Sequence, residues 1–140
     1  SLLLADVRAA VSDLRTDDVD LVTALRSLGL DVPGPAVEFR LAPGFGEGDP
    51  ERATAFLRCA QEAITNARRH SAARRVLVEG DGDVLIVRDD GRGVKDGLVE
   101  GAGLRGMRER VERLGGTVSM TSDTEGGARL EVRIPRGGTR

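Results

Sequence analysis

From Gln61 to Ser71 the chain reads Q-E-A-I-T-N-A-R-R-H-S, and drawn as a helix this segment sorts into two faces. Ala60, Ala63, Ile64 and Ala67 form an apolar stripe, while Glu62, Asn66, Arg69 and His70 fall on the other side, because residues three and four apart are helix neighbours. A carboxylate and a carboxamide one turn apart offer hard oxygen ligands of the kind a hydrated Mg²⁺ accepts while its other contacts go to phosphates. Taken alone, E-x-x-x-N is better read as a solvated helix face. The rest of the chain turns the balance toward chemistry.

Upstream of this helix, Asp49 followed by Pro50 suits an N-cap and first helical residue. Before it, Val37, Phe39 and Leu41 alternate with Glu38 and Arg40 as in a half-buried strand, closed by Pro43, Gly44, Gly46 and Gly48. Leu21, Leu25 and Leu28 mark a short amphipathic helix that Gly29 can stop, with a break at Pro33, Gly34 and Pro35. The opening segment carries Leu4, Val7, Val11 and Leu14 at coiled-coil spacing, which suits either a helix packed on its own domain or the tail of a longer helix in a dimeric bundle.

Downstream, R-V-L-V from Arg75 to Val78 and D-V-L-I-V from Asp83 to Val87 read as strands, with E-G-D-G from Glu79 to Gly82 as their hairpin turn. The second strand runs into R-D-D-G-R-G-V. After a loop come G-A-G-L-R-G-M and a helix R-E-R-V-E-R-L that stops at Gly115 and Gly116. Thr117–Met120 and Ala128–Ile134 form a last strand pair, joined by a turn from Thr121 to Gly127 and stopped by Pro135, with Arg136–Arg140 as a fraying tail. Strand, long helix, two strands, loop, helix, two strands: this order predicts an α+β fold, a two-layer α/β sandwich whose mixed sheet is covered by helices on one face.

Composition narrows the function. With 140 residues, 39% hydrophobic and 31% charged, the chain suits one globular domain with a real core. No Trp, no Tyr and three Phe make that core aliphatic and leave almost no stacking platform for single-stranded nucleic acid. A formal net charge of −2 also argues against a polyanion-binding surface, so no direct nucleic-acid contact is expected. Cys59 stands alone and cannot close an internal disulfide; it reads as a small buried or half-buried hydrophobe. With no secretory n-region or long apolar segment, a reducing, cytoplasmic setting is expected. A start at Ser1, in mid-pattern and without Met, predicts a fragment of something longer.

Two further segments carry chemistry. D-D-G-R-G places Asp89 at a strand end, followed by Gly91 and Gly93, where the backbone can turn and approach a ligand. A buried carboxylate there could accept from the exocyclic amino group of adenine, although the same letters are common in ordinary turns. Gly101, Gly103 and Gly106 match G-x-G-x-x-G, but no strand immediately precedes them, so the dinucleotide fold that this fingerprint marks is not expected. Backbone N–H groups at the helix start near Leu104 to Met107 can still receive a phosphate.

In this order and spacing, Q-E-A-I-T-N-A-R-R-H-S, D-D-G-R-G and G-A-G-L-R-G-M resemble the N, G1 and G2 boxes of the sensor histidine kinases, within the wider GHKL ATPase superfamily and its Bergerat ATP-binding fold. The similarity spans Ala60 to Pro135. The short interval from Gly93 to Gly101 resembles the short-lidded subfamily, whose response-regulator partners usually bind DNA. The opening residues resemble the end of that subfamily's dimerisation and phosphoacceptor module. The resemblance thus implies residues 1–30 as the tail of that module and a linker, 31–136 as the ATP-binding catalytic domain, and 137–140 as a tail.

The resemblance also implies roles. Asp89 would hold the adenine amino group, Asn66 would ligate Mg²⁺, and Glu62 would serve as the base or polarising carboxylate, beside the metal. Arg69 and His70 would lie near the phosphates of ATP or ADP, and Gly91, Gly93, Gly101, Gly103 and Gly106 would shape pocket and lid, with Leu104 and Met107 at the phosphate-receiving helix start. The activity implied is that of a protein histidine kinase, transferring the γ-phosphoryl of ATP to a histidine. Catalysis would be mostly positioning and charge neutralisation. That histidine belongs to an upstream helix of the longer protein. The only one here, His70, sits inside the N box, so this fragment would bind ATP without carrying its own substrate. Partners implied for the longer protein are its phosphoacceptor helices, a response regulator that docks on them, and a second copy in a homodimer; membrane anchoring stays open. Where the family often reads G-T-x-L, this chain reads G-A-R-L from Gly127 to Leu130, so a supporting hydroxyl near Asp89 is missing at Ala128. Two alternatives remain: an anti-sigma-type serine kinase, and a non-catalytic module that binds nucleotide or a partner helix.

Overall fold

The computed structural model describes residues 21–28, 35–70, 73–91, 102–122 and 126–136. Helix α1 (Leu21–Ser27) is followed by β1 (Ala36–Leu41), the long helix α2 (Pro50–His70), β2 (Arg75–Asp81), β3 (Val84–Asp89), α3 (Ala102–Arg113), β4 (Thr117–Ser122) and β5 (Ala128–Arg133). The expected succession is present among the described residues. The heptad seam Leu4–Leu14 lies outside them.

The five strands form one mixed sheet in the order β1-β2-β3-β5-β4. β1 and β2 are parallel, and α2 is the crossover that such a pair requires. The remaining neighbours are antiparallel. Register aligns one side chain per strand on a common face: Val37 beside Val76, Val78 beside Val87, Leu85 beside Val132, Val87 beside Leu130, and Val118 beside Val132. On that face the central strands bury Val76, Val78, Leu85, Val87, Leu130 and Val132. The helices supply the opposing layer, with Leu25, Phe56, Ala60, Ile64, Leu104 and Val111 all buried. Each buried Val, Leu, Ile or Phe side chain contributes about 1.5–3 kcal/mol when fully withdrawn from water. The other face carries Leu77, Glu79, Ile86, Arg88, Arg129 and Glu131, half-buried, with Arg88 paired to Glu79 and Arg129 to Glu131. The predicted two-layer architecture is therefore observed.

Local chemistry accounts for the ends of the helices. Asp49 caps α2: its Oδ1 accepts from the Arg52 N–H at 3.3 Å and its carbonyl from the Ala53 N–H at 2.9 Å, with Pro50 in first position as expected. At the same end of the helical layer, α3 stops as predicted at Gly115 and Gly116. The Gly116 N–H donates to Val111 O at 2.9 Å and the Gly115 N–H to Glu112 O at 3.0 Å, a Schellman closure. Gly115 has φ +81°, which the closure needs and L side chains resist.

Three features differ from the sequence expectation. The β2–β3 hairpin turns at Gly82 and Asp83 rather than across Glu79–Gly82. Gly80 belongs to the strand because Phe45 needs its space: a Cβ at Gly80 would sit 2.6 Å from the Phe45 ring. Phe45, inside a glycine-rich turn, is itself core, 1% exposed and 4.9 Å from the Phe56 ring centroid. Finally, Leu21, Ala24, Leu25 and Leu28 bury into the same core as the sheet, so the described part of the 1–30 segment packs as part of this domain.

Arg52 is the one buried charged side chain among the described residues. Its Nε donates to Ile134 O at 2.7 Å and its Nη2 to Gly82 O at 2.8 Å, while the guanidinium lies 5.4 Å from the Phe56 ring centroid. It ties the first turn of α2 to one end of the sheet.

Candidate functional site

The opposite end of the sheet gathers the chemistry. β3 ends there at Asp89, opposite Val76 near the start of β2. β5 begins there at Ala128, opposite Ser122 at the end of β4. α2 ends at His70 shortly before β2 begins, which brings its last turns to the same end. α3 packs on α2 and β4, and its C-terminus joins β4 at the far end, so its N-terminus is directed back toward Asp89.

Asp89 is held by main-chain donors. Its half-buried carboxylate accepts from the Gly91 N–H at 2.9 Å, an Asx turn, and from the Ala128 N–H at 3.3 Å. Gly127 completes the clasp: a Cβ there would lie 1.6 Å from Asp89 O, so the two backbones touch where only glycine fits. Asp90 faces the other neighbour, with Oδ1 accepting from the N–H groups of Arg74 at 2.7 Å and Arg75 at 2.9 Å. The Arg75 N–H bond holds the Asp90 carboxyl below the usual carboxylate range; burial opposes it, and the N–H groups of Arg74 and Asp90 itself and the Arg75 charge add to the lowering. Sequence reasoning missed Gly127 and Asp90. A glycine just before a strand that neighbours the D-D-G turn was the available signal for the first; nothing in the sequence marked Asp90 as different from a turn aspartate.

On α2, Ala60, Ala63, Ile64 and Ala67 are buried, as the periodicity predicted. Glu62 and Asn66 are half-buried and Arg69 is exposed. Of His70 only the helical backbone is described. Gln61 Nε2 and Arg68 Nε are buried on this helix and lack a hydrogen-bond partner among the described residues, a second feature that the sequence did not reveal. Leu104 and Met107 turn their side chains into the core, and Gly106 faces open space. Because α3 starts at Ala102, the N–H groups free of intrahelical acceptors are those of Ala102, Gly103 and Leu104; the expected span Leu104 to Met107 shares only its first member with them. Gly93 and Gly101 lie outside the described residues.

No trio of His, Cys, Asp and Glu side chains among the described residues could by itself cage a metal. The donor set of Glu62 and Asn66 instead fits a cation that keeps most of its contacts for water and phosphate. Cys59 takes no part: burial pushes its thiol up to about 12, against a small opposing effect of Arg110, and leaves it unreactive.

Comparison with known proteins shows the family and the fold. The family described as histidine kinase-, DNA gyrase B-, and HSP90-like ATPase matches residues 51–138, more than half of the chain. The chain is 34% identical over 130 residues to the signal transduction histidine-protein kinase/phosphatase UhpB of Salmonella typhimurium, covering 86% of this chain and 25% of that protein. It is 40% identical over 86 residues to the sensor protein VraS of Staphylococcus aureus, covering 57% of this chain and 25% of that one. It thus spans about a quarter of the length of these relatives. Among solved structures, the ATP binding domain of PrrB from Mycobacterium tuberculosis matches with a TM-score of 0.60 and 25% identity, over 86% of this chain and 94% of that one. The histidine kinase domain of Erythrobacter litoralis EL346 matches in fold with a TM-score of 0.65 at 22% identity, over 82% of this chain and 58% of that one.

Proposed function

The chain belongs to the histidine kinase-, DNA gyrase B- and HSP90-like ATPase family, and from this premise we propose that it is the catalytic domain of a two-component sensor histidine kinase, binding ATP at the Asp89 end of the sheet. The observation that carries the site is the clasp of Asp89 between the N–H groups of Gly91 and Ala128. With its Oδ1 engaged by the main chain, the carboxylate is held in one orientation and can accept from the adenine amino group through its other oxygen. Asn66, with Glu62 one turn before it, would hold Mg²⁺, which would neutralise phosphate charge. Arg69 and His70 would add donors at the phosphates, with the free N–H groups at the start of α3. Gly91, Gly93, Gly101, Gly103 and Gly106 would let the lid approach the nucleotide.

In the proposed transfer, an imidazole nitrogen from a phosphoacceptor helix forms a P–N bond to the γ-phosphorus as the bridging P–O bond breaks and ADP leaves. Glu62 takes or polarises the proton on the other imidazole nitrogen. The acceptor helix, a response regulator docking on it, homodimerisation and any membrane anchor belong to the longer protein. No helix among the described residues is long and apolar enough to cross a membrane. The serine-kinase and non-catalytic alternatives find no support in the relatives described above. Isothermal titration with ADP and Mg²⁺ tests the site. Heat is expected from the unaltered chain and none from Asp89→Asn; silence from both, or equal affinity in both, would refute it.

A further inference from the structure

At the end of the helical layer away from Asp89, α2 and α3 part to leave an open groove of about 690 Å³ lined by Arg58, Arg110 and Arg113, with Pro50, Glu51 and Leu114 beside them. Arg110 and Arg113 share one face of α3, three residues apart, and Arg58 reaches the groove from α2. None of the three guanidinium groups has a carboxylate partner among the described residues, in a chain whose formal net charge is −2. Burial, and then the neighbouring Arg110 charge, make the Arg58 cation harder to hold than usual. Three guanidinium groups gathered in a groove that Glu51 alone lines with a carboxylate leave an excess of positive charge, which is unfavourable for the folded chain and is relieved by an anion.

We propose that this groove docks an acidic peptide segment of a partner protein, with its carboxylates on Arg58, Arg110 and Arg113. Charge complementarity selects the sign, and the planar guanidinium fork suits carboxylates. The shape selects a peptide. The apolar Pro50 and Leu114 line a concavity rather than project, as side chains that enter a lipid surface do. The groove also gives far more room than one phosphate group needs. No aromatic residue lines it for bases to stack on. Because the groove lies away from Asp89, docking there leaves the nucleotide end open and does not depend on the function proposed above.

The probe is a short fluorescent peptide of alternating glutamate and leucine, titrated against the full chain by anisotropy at low salt, with a lysine-for-glutamate peptide as control. The glutamate peptide is expected to bind, to weaken with salt, and to lose affinity roughly tenfold or more against Arg58→Glu/Arg110→Glu, a shift near one decade on the affinity scale. ADP affinity should not change, and the urea midpoint of Arg110→Glu should equal or exceed that of the unaltered chain, because a repulsion has been removed. The proposal is overturned if the glutamate peptide does not bind, binds the double variant equally, or binds no better than the lysine peptide. It is equally overturned if millimolar inorganic phosphate displaces the peptide, or if anionic vesicles capture the chain and the peptide cannot compete.

Discussion

Asp89 and Asp90 are neighbours with opposite anchors, one fastened toward β5 and one toward β2. The first was legible in the sequence, because an acid before G-x-G at a strand end is an unusual pattern once two other motifs accompany it. Its clasp was not legible, since Ala128 and Gly127 approach it only through strand pairing across a long sequence gap. Placing a methyl at Gly127 would force the Asp89 backbone aside. Gly127→Ala is expected to cost on the order of 1–3 kcal/mol in urea unfolding and to weaken ADP binding; a variant matching the unaltered chain in both would show that the contact yields without consequence. Asp90 predicts a pH effect. Its folded pKa lies below the ordinary value of 3.8, so its contribution to stability is complete above that value and fades as pH falls through the lower folded one. Urea midpoints measured from pH 6 down to pH 2.5 should therefore show a shallower acid decline in Asp90→Ala than in the unaltered chain.

Among the elements, the helices were the easiest to foresee. The Asp49–Pro50 start and the Gly115–Gly116 stop are written in local letters, and both caps form as the letters suggest. The β2–β3 turn was misplaced because a glycine in E-G-D-G looked like turn chemistry, whereas Gly80 answers to a phenylalanine some 35 positions upstream in the chain, at Phe45. Propensity cannot report a demand for space made by a distant side chain. Gly80→Val should accordingly destabilise the chain by roughly 1–3 kcal/mol, and Phe45→Leu combined with it should lose less than the sum of the two single changes. Strict additivity in denaturant titrations would mean that the two side chains do not compete. Gly115→Ala, at positive φ, is expected to cost about 1–2 kcal/mol by the same measurement.

Over the whole molecule, element order predicted the class, while the sheet order β1-β2-β3-β5-β4 was beyond the sequence, because β5 inserts between β3 and the strand that precedes it in the chain. Nor could periodicity find Arg52, whose partners Gly82 and Ile134 lie far along the chain. Arg52→Leu leaves both carbonyls unpaired at the end of the sheet remote from Asp89, and it should cost on the order of 2–3 kcal/mol while the ADP affinity of the folded protein stays unchanged. Loss of binding in folded Arg52→Leu would mean that the two ends of the sheet are coupled. Ligand linkage gives a further check: saturating ADP and Mg²⁺ at about a hundred times the dissociation constant should add about 2.7 kcal/mol to stability and raise the melting temperature, with no shift in Asp89→Asn.

The bonds that aim Asp89 and Asp90 come from the peptide groups of residues 74, 75, 91 and 128, not from their side chains. A peptide N–H is the same under almost any residue except proline. Mutational drift can therefore respell positions 74, 75 and 128 while the two acids keep their bearing, and an alanine at 128 costs the clasp nothing from its main chain. Cousins of this chain would be recognised more surely by two adjacent acids between three paired strands than by any consensus spelled around them.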